Sequence, residues 1–268
     1  MSMKLEELRK KPHLSASSIS DYINCSFSYR LGRIDRCRPE FTPDALEFGS
    51  VIHQCLGDFY AARKIGYKMP MHELLYIFEH YWESAVYGRE DIRYKNGDSY
   101  ETLQVKGKEL LKAYYETLPT DDFKVLAVEK PFSFSIDGIP IPIIGAIDLI
   151  EWSGSDTIIL TDFKTSAKSY SAEEIDNSFQ LAVYNLAMKA DGFNDHDILL
   201  RFDILIKTKI PKFEQQYTVI NEAQERKTIS TIKLAWEGIT KGTFLPTGER
   251  WRCTGCVFRT ACNKELGS

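Results

Sequence analysis

The sequence has no apolar run of about 18 residues or more, the length that a membrane-spanning helix needs, so no segment of it reads as crossing a bilayer. Its opening, Met1-Ser2-Met3-Lys4-Leu5-Glu6-Glu7, lacks the apolar centre of a secretion signal. No internal repeat and no low-complexity tract is visible, which sets aside solenoids and disordered linkers. A basic excess is missing too. The net charge is −4 and the pI about 5.8, which argues against a nonspecific cationic coat for nucleic acid. A local basic groove is compatible with that balance. What is there is 268 residues, 43% apolar and 12% aromatic, enough to bury a sizeable core. The expectation is a single domain over residues 1–268 with a helical insertion near 66–120, at home in a reducing cytoplasm because its cysteines read as free or metal-bound.

The chemistry gathers at the ends of two apolar runs. One is Ile158-Ile159-Leu160-Thr161, followed by Asp162-Phe163-Lys164; the other, Ile141 to Ile147, ends in Asp148. Between them Trp152-Ser153-Gly154-Ser155-Asp156 reads as a hairpin loop. Residues i and i+2 of a strand share a face, so Asp162 and Lys164 stand side by side, their Cα atoms roughly 6.5–7 Å apart, while Phe163 turns into the core. Two carboxylates can hold a hard divalent ion, and a lysine beside them can orient a water and offset phosphate charge. That is the equipment of a metal-dependent phosphodiesterase. Asp-x-Lys by itself is a common solvated strand end, so the setting matters. Ser171-Ala172-Glu173-Glu174 is a capping-box pattern. It opens a predicted helix over 171–190 in which Ile175, Phe179, Ala182, Val183 and Leu186 fall at helical spacing, with Gln180 and Tyr184 four apart as a polar pair.

Six cysteines are present, and Cys253, Cys256 and Cys262 read C-x2-C-x5-C beside Trp251 and Phe258. Three clustered thiolates lack a fourth tetrahedral ligand, and Cys25, on a predicted helix over 15–31, can supply it. Spacing alone leaves zinc, an iron–sulfur cluster and two disulfides open. Cys55 reads as a small core residue and Cys37 as a free loop thiol. Candidate phosphate contacts are Arg30, Arg33, Arg36, Arg38, Lys164, Lys168, Arg250, Arg252 and Arg259. A joining of the cysteines would bring Arg30 and Arg33 near Arg252 and Arg259 as a basic rim.

Gly145-Ala146-Ile147-Asp148, Asp162-Phe163-Lys164-Thr165 and Gln180-Leu181-Ala182-Val183-Tyr184 together resemble the PD-(D/E)XK nuclease superfamily, in particular its RecB-like branch with G-x-x-D, D-x-K and Q-x-x-x-Y motifs. Gly49-Ser50-Val51-Ile52-His53, on a predicted helix over 44–65, matches that branch's G-x-x-x-H setting. Glu129 matches an acid often found on its first core strand. The resemblance implies an α/β restriction-endonuclease-like core, a central mixed sheet flanked by helices, with a helical insertion serving as cap or channel wall. It implies Mg2+ or Mn2+, one or two ions, held by His53, Asp148 and Asp162, with Lys164 positioning the attacking water. Gln180 and Tyr184 would touch substrate phosphates or brace the active-site helix. Cys25, Cys253, Cys256 and Cys262 resemble the [4Fe–4S] staple of AddB-type and CRISPR-associated exonucleases, with Ser26 standing where that family usually has proline; Zn2+ is the alternative occupant. The implied substrate is DNA, cut as an exonuclease from ends or single strands, with helicase, recombination or CRISPR-adaptation proteins as partners. A catalytically weak nucleic-acid-binding partner of such a complex is the rival reading, and a zinc-stapled enzyme of unrelated chemistry is another. The intact His–Asp–Asp–Lys set speaks against the first, and absorbance near 400 nm would separate an iron–sulfur protein from the second.

Overall fold

The computed structural model describes residues 4–95, 97–119, 123–193 and 196–267. The chain begins with α1 (Leu5–Arg9) and α2 (Ala16–Asn24). The second opens on a reciprocal cap: Ser15 Oγ accepts from the Ser18 amide and Ser18 Oγ from the Ser15 amide, satisfying two donors that a helix start leaves free. The single helix expected over 15–31 is broken. Cys25 is extended, and its sulfur accepts from the Ser28 amide at 3.4 Å, so it caps a new helix, α3 (Ser26–Tyr29), followed by a π-helical turn at Arg30–Ile34. A two-residue strand, β1 (Thr42–Pro43), leads into α4 (Asp44–Lys64), then α5 (Met71–Val86), β2 (Ile92–Arg93) and α6 (Tyr100–Thr117).

Three long strands follow, β3 (Lys124–Phe134), β4 (Ile143–Trp152) and β5 (Thr157–Ser166). After them come α7 (Ala172–Asp176), α8 (Phe179–Ala190), β6 (Asp197–Ile206) and β7 (Lys212–Thr218). The chain continues with α9 (Glu222–Thr240), α10 (Arg250–Thr254) and α11 (Arg259–Leu266). The helix expected over 171–190 is thus two helices, because the Ser178 hydroxyl accepts from the Leu181 amide and restarts the turn. The five long strands form one mixed sheet in sequence order, parallel only between β5 and β6.

Each face of the sheet carries its own core. On β6, Leu200, Phe202, Ile204 and Ile206 face one way and pack with α2, α8 and α9. Arg201, Asp203 and Leu205 face the other, as period-two alternation requires, toward α4, α5 and α6. The segment expected as a cap or channel wall supplies much of that second layer. Phe78, Trp82, Leu110, Leu111 and Tyr114 are buried with Leu149, Phe163 and Leu205. Trp82 is wholly buried, and its ring N–H is satisfied by the Tyr100 carbonyl at 3.0 Å. Helices α5 and α6 meet at Gly107, where any β-carbon would collide with the Phe78 ring at 1.9 Å.

Candidate active site

Strands β4 and β5 are each ten residues long, yet they pair only from Trp152↔Ile158 to Leu149↔Thr161. Beyond that point they part. The rest of β4 stays with β3, and the rest of β5 stays with β6. Asp148 and Asp162 are the first residues past the fork. The gap is bridged by a side chain in place of a ladder bond: Asp148 Oδ2 accepts the Phe163 amide at 2.8 Å. The fork opens the sheet to both layers of helices. From α4, His53 brings Nδ1 to 3.4 Å from Asp148 Oδ2, hydrogen-bonds the Phe163 backbone and sets its ring edge-on to the Phe163 ring. From α8, the buried Tyr184 hydroxyl reaches Asp148 Oδ1 at 3.4 Å and Asp162 Oδ1 at 3.2 Å. Lys164 Nζ forms an ion pair with Asp162 Oδ2 at 2.6 Å.

Glu129 lies in the β3 register opposite Asp148 and holds a left-handed backbone, φ 47°. For a residue with a β-carbon that conformation costs on the order of 1–2 kcal/mol. Burial, then Asp162, raises its pKa. Burial and Asp162 also push Asp148 well above the usual carboxylate range, against the Phe163 amide. Burial lowers His53. Burial works against the Lys164 ammonium as well, but Asp162 outweighs it and the pKa rises. The buried Asp148 and Asp162, with Glu129 more exposed beside them and one lysine, leave a local excess of negative charge that a divalent cation would offset. Gln180 hydrogen-bonds the Tyr184 hydroxyl. Tyr184 is buried against the carboxylates, while Gln180 beside it is half-buried. Gly145 makes room for the Phe132 ring, which a β-carbon would meet at 2.5 Å, and that ring packs edge-on against Tyr184.

The four expected cysteines are brought together elsewhere. Cys25, Cys253, Cys256 and Cys262 line one cavity of about 600 Å3 with Phe258. The Cys256 sulfur accepts the Phe258 amide at 3.4 Å. Burial raises the Cys262 thiol, and Cys25, Cys256 and Cys253 raise it further. Cys55 is buried and Cys37 half-buried, and neither lines the cavity. Among the described residues no three His, Cys, Asp or Glu side chains are already drawn together to hold a metal ion, at this cavity or at the sheet fork. At the fork the carboxylate oxygens are engaged by Lys164, Tyr184 and the Phe163 amide.

The basic rim takes a different form from the one expected. Arg33 pairs with Asp21, Arg30 with Asp35 and Glu265, Arg252 with Glu249 and Lys168 with Glu174. Arg33, Arg252 and Arg259 do line the cysteine cavity. One cluster had no motif to signal it. Behind the fork, Arg201 is buried between Glu151 at 2.7 Å and Asp203 at 2.8 Å, under the Tyr114–Tyr60 hydroxyl pair at 2.7 Å. Tyr60 stacks on Phe163, 5.8 Å between centroids. The polar residues of Leu200-Arg201-Phe202-Asp203 alternate as a solvated strand face would, and only the covering helices make them interior.

This arrangement is that of a known superfamily. A family profile for the PD-(D/E)XK nuclease superfamily matches residues 13–263, and the chain belongs to that superfamily. Among solved structures it is similar to a candidate exonuclease from Eubacterium rectale, with a TM-score of 0.54 at 10% identity over 92% of this chain and 89% of that one. At that identity the likeness shows the fold. SSO0001 aligns over 97% of this chain and 96% of its own at 14% identity, with a TM-score of 0.38, too low to argue from. No curated protein matches by sequence. No helix among the described residues is long and apolar enough to cross a membrane.

Proposed function

We propose that the chain is a metal-dependent deoxyribonuclease that hydrolyses phosphodiester bonds, working as an exonuclease on DNA ends or single strands. The observation that carries this is the fork: Asp148, Asp162 and Lys164 meet where β4 leaves β5, with His53 and Tyr184 entering from opposite faces. His53, Asp148 and Asp162 would hold Mg2+ or Mn2+. Such an ion supplies Lewis acidity and a bound water of lowered pKa. The residues' own work is separable from that. Lys164, held by Asp162 at 2.6 Å, carries a positive charge to where the phosphate's negative charge grows. Tyr184, steadied by Gln180, fixes both carboxylates. Glu129 keeps a third acid at the site in a conformation that the surrounding sheet must enforce. The exonuclease sense draws on the structural neighbour described as a candidate exonuclease.

Cys25, Cys253, Cys256 and Cys262 would hold a [4Fe–4S] cluster. Four thiolates around one cavity repel one another until a metal offsets them, and amides donate to two of the sulfurs, as they do around cluster-bound thiolates. A single zinc bound at 2.3 Å draws its sulfurs to within about 3.8 Å of each other. A cluster holds them farther apart, and bound iron and sulfide against bound zinc separates the two occupants.

The test is cutting of end-labelled linear and circular single-stranded DNA with Mg2+ or Mn2+. The parent should degrade the linear strand and spare the circle. Asp162→Asn and Lys164→Ala should each lose about a hundredfold or more in rate. Either variant cutting at the parent rate would remove the assignment of the site. Equal cutting of the circle would replace the exonuclease reading with an endonuclease.

A further inference from the structure

The fork's acids and lysine account for one phosphate, but a strand of DNA carries one at every step. Beyond the fork, at the far ends of β5 and β6, two polar side chains have no protein partner among the described residues. One is Lys207. It follows the last residue of β6, its amide bonded to the Ser166 carbonyl at 2.7 Å. Its ammonium lies over the Phe48 ring of α4, 4.9 Å from the centroid, with no ion pair. Its acidic neighbours are committed elsewhere. Asp44 accepts the Ala45 and Lys95 amides at 2.7 and 3.0 Å. Asp98 takes Lys106 at 2.5 Å and the Thr102 hydroxyl. Burial lowers the Lys207 pKa, against the pull of Asp44 and Asp98. Asp44 and Asp98 favour the ammonium only through space, so its N–H donors have no acceptor in contact among the described residues, and a half-buried ammonium with unused donors is a ready partner for an anion.

The second group is the Thr165 hydroxyl, next to Lys164 in sequence. It faces Gly49 of α4, where a β-carbon would lie 3.5 Å from the hydroxyl oxygen. Phe48 and Gly49 are consecutive, so Lys207 and Thr165 flank the same notch between α4 and the sheet. Ile204 is paired with Lys164, and Lys207 is three residues further, on the α4 face of the sheet, the face from which His53 enters the fork, and roughly 10 Å along the strand direction. That is about three nucleotide steps at the 3.4 Å rise per strand of duplex DNA, and fewer for a stretched single strand.

We infer that Lys207 and Thr165 form a second phosphate subsite, which grips the DNA backbone beside the phosphate being cut. The subsite rests on the reading of the chain as a DNA nuclease. It takes no part in bond breaking. Its contribution is to hold the strand in register over the fork, a matter of affinity and not of rate at saturation.

Lys207→Met keeps the aliphatic stem over Phe48 and removes the charge; Lys207→Arg keeps the charge. Binding of a fluorescein-labelled single-stranded oligodeoxynucleotide is followed by anisotropy in Ca2+ across a salt series, and cutting is followed in Mn2+. The methionine variant should weaken Kd about three- to tenfold, the range for one solvent-accessible hydrogen bond. The slope of log Kd against log salt should flatten by about 0.7, the loss of one single-strand phosphate contact. Cutting at saturating DNA should stay within about twofold of the parent, the melting temperature should hold or rise, and the arginine variant should restore Kd and slope. A parent that binds and cuts, beside a methionine variant with unchanged Kd and slope, overturns the subsite and leaves the nuclease reading standing. A weaker Kd with unchanged slope and a melting temperature several degrees lower assigns Lys207 to the fold and also overturns the subsite. A parent that neither binds nor cuts DNA overturns both.

Discussion

Asp203→Asn isolates one buried proton and should change how stability depends on pH. Asp203 is wholly buried. Its Oδ1 stands 2.8 Å from Arg201 Nε and accepts from Gln215 at 3.1 Å, while Oδ2 has no hydrogen-bond partner. Burial, opposed by Arg201, pushes the carboxyl up to about 6 from 3.8. The folded protein therefore binds this proton more tightly than the unfolded chain does. The stabilisation is fully present below about pH 4 and is lost as pH rises through 6, the opposite of a salt-bridged surface acid. About two pKa units correspond to about 3 kcal/mol, or roughly 6–12 °C in Tm for a chain of this size. The amide of the variant keeps an acceptor for Arg201 and has no proton to lose. Urea unfolding of both proteins from pH 4 to 7.5 should show the variant gaining on the parent by about 2–3 kcal/mol as pH rises. Using the difference between the two cancels every other titrating group. Parallel curves, or a variant that loses ground as pH rises, would refute the reasoning.

Tyr184→Phe removes the hydroxyl shared by Asp148 and Asp162, and should raise the Mn2+ concentration for half-maximal cutting about tenfold, the scale of one lost buried hydrogen bond; an unchanged metal curve would show that the hydroxyl orients nothing. Cys25→Ser, Cys253→Ser, Cys256→Ser and Cys262→Ser should each reduce bound iron and sulfide and destabilise the fold, by about 4–5 kcal/mol if the site acts as a long-loop cross-link, read as a lower melting temperature. Cys37→Ser and Cys55→Ser should leave iron and sulfide at the parent level, and iron lost from Cys37→Ser, or kept in Cys25→Ser, would overturn the ligand set.

The strand ends that carry Asp148 and Asp162 were legible because apolar runs, a Gly-Ser hairpin and caps are local signals, and so was the α4 helix that delivers His53. The fork was not. Nothing in two ten-residue apolar strands says that their pairing stops at Leu149↔Thr161. The break at Cys25 was hidden because a cysteine sulfur is not among the usual helix-capping groups. Tyr184 reads as a polar helix residue, and its burial between two carboxylates depends on Phe132, which Gly145 admits from a neighbouring strand. The arginines near the cysteines looked free because their acids, Asp21, Asp35, Glu249 and Glu265, are set against them only by folding. Glu151, Arg201 and Asp203 mimic an exposed face, since alternation reports which residues share a side and not whether helices cover it.

Residues 22–40 and 243–260 are laced by direct bonds. The Tyr22 hydroxyl donates to the Thr243 carbonyl, the Phe27 amide to the Leu245 carbonyl, the Glu40 amide to the Val257 carbonyl, and the Glu40 carboxylate accepts the Thr260 amide. During synthesis these partners appear about 220 residues apart, some 11–44 s at 5–20 residues per second. Through that interval the sheet and the helices packed on it can form while the segment around Cys25 waits, its thiol and the Phe27 and Glu40 amides facing water. The pairing of these two segments cannot precede synthesis of the second, and a ribosome that stalls before residue 243 would release a chain with all five long strands made and its hem unsewn.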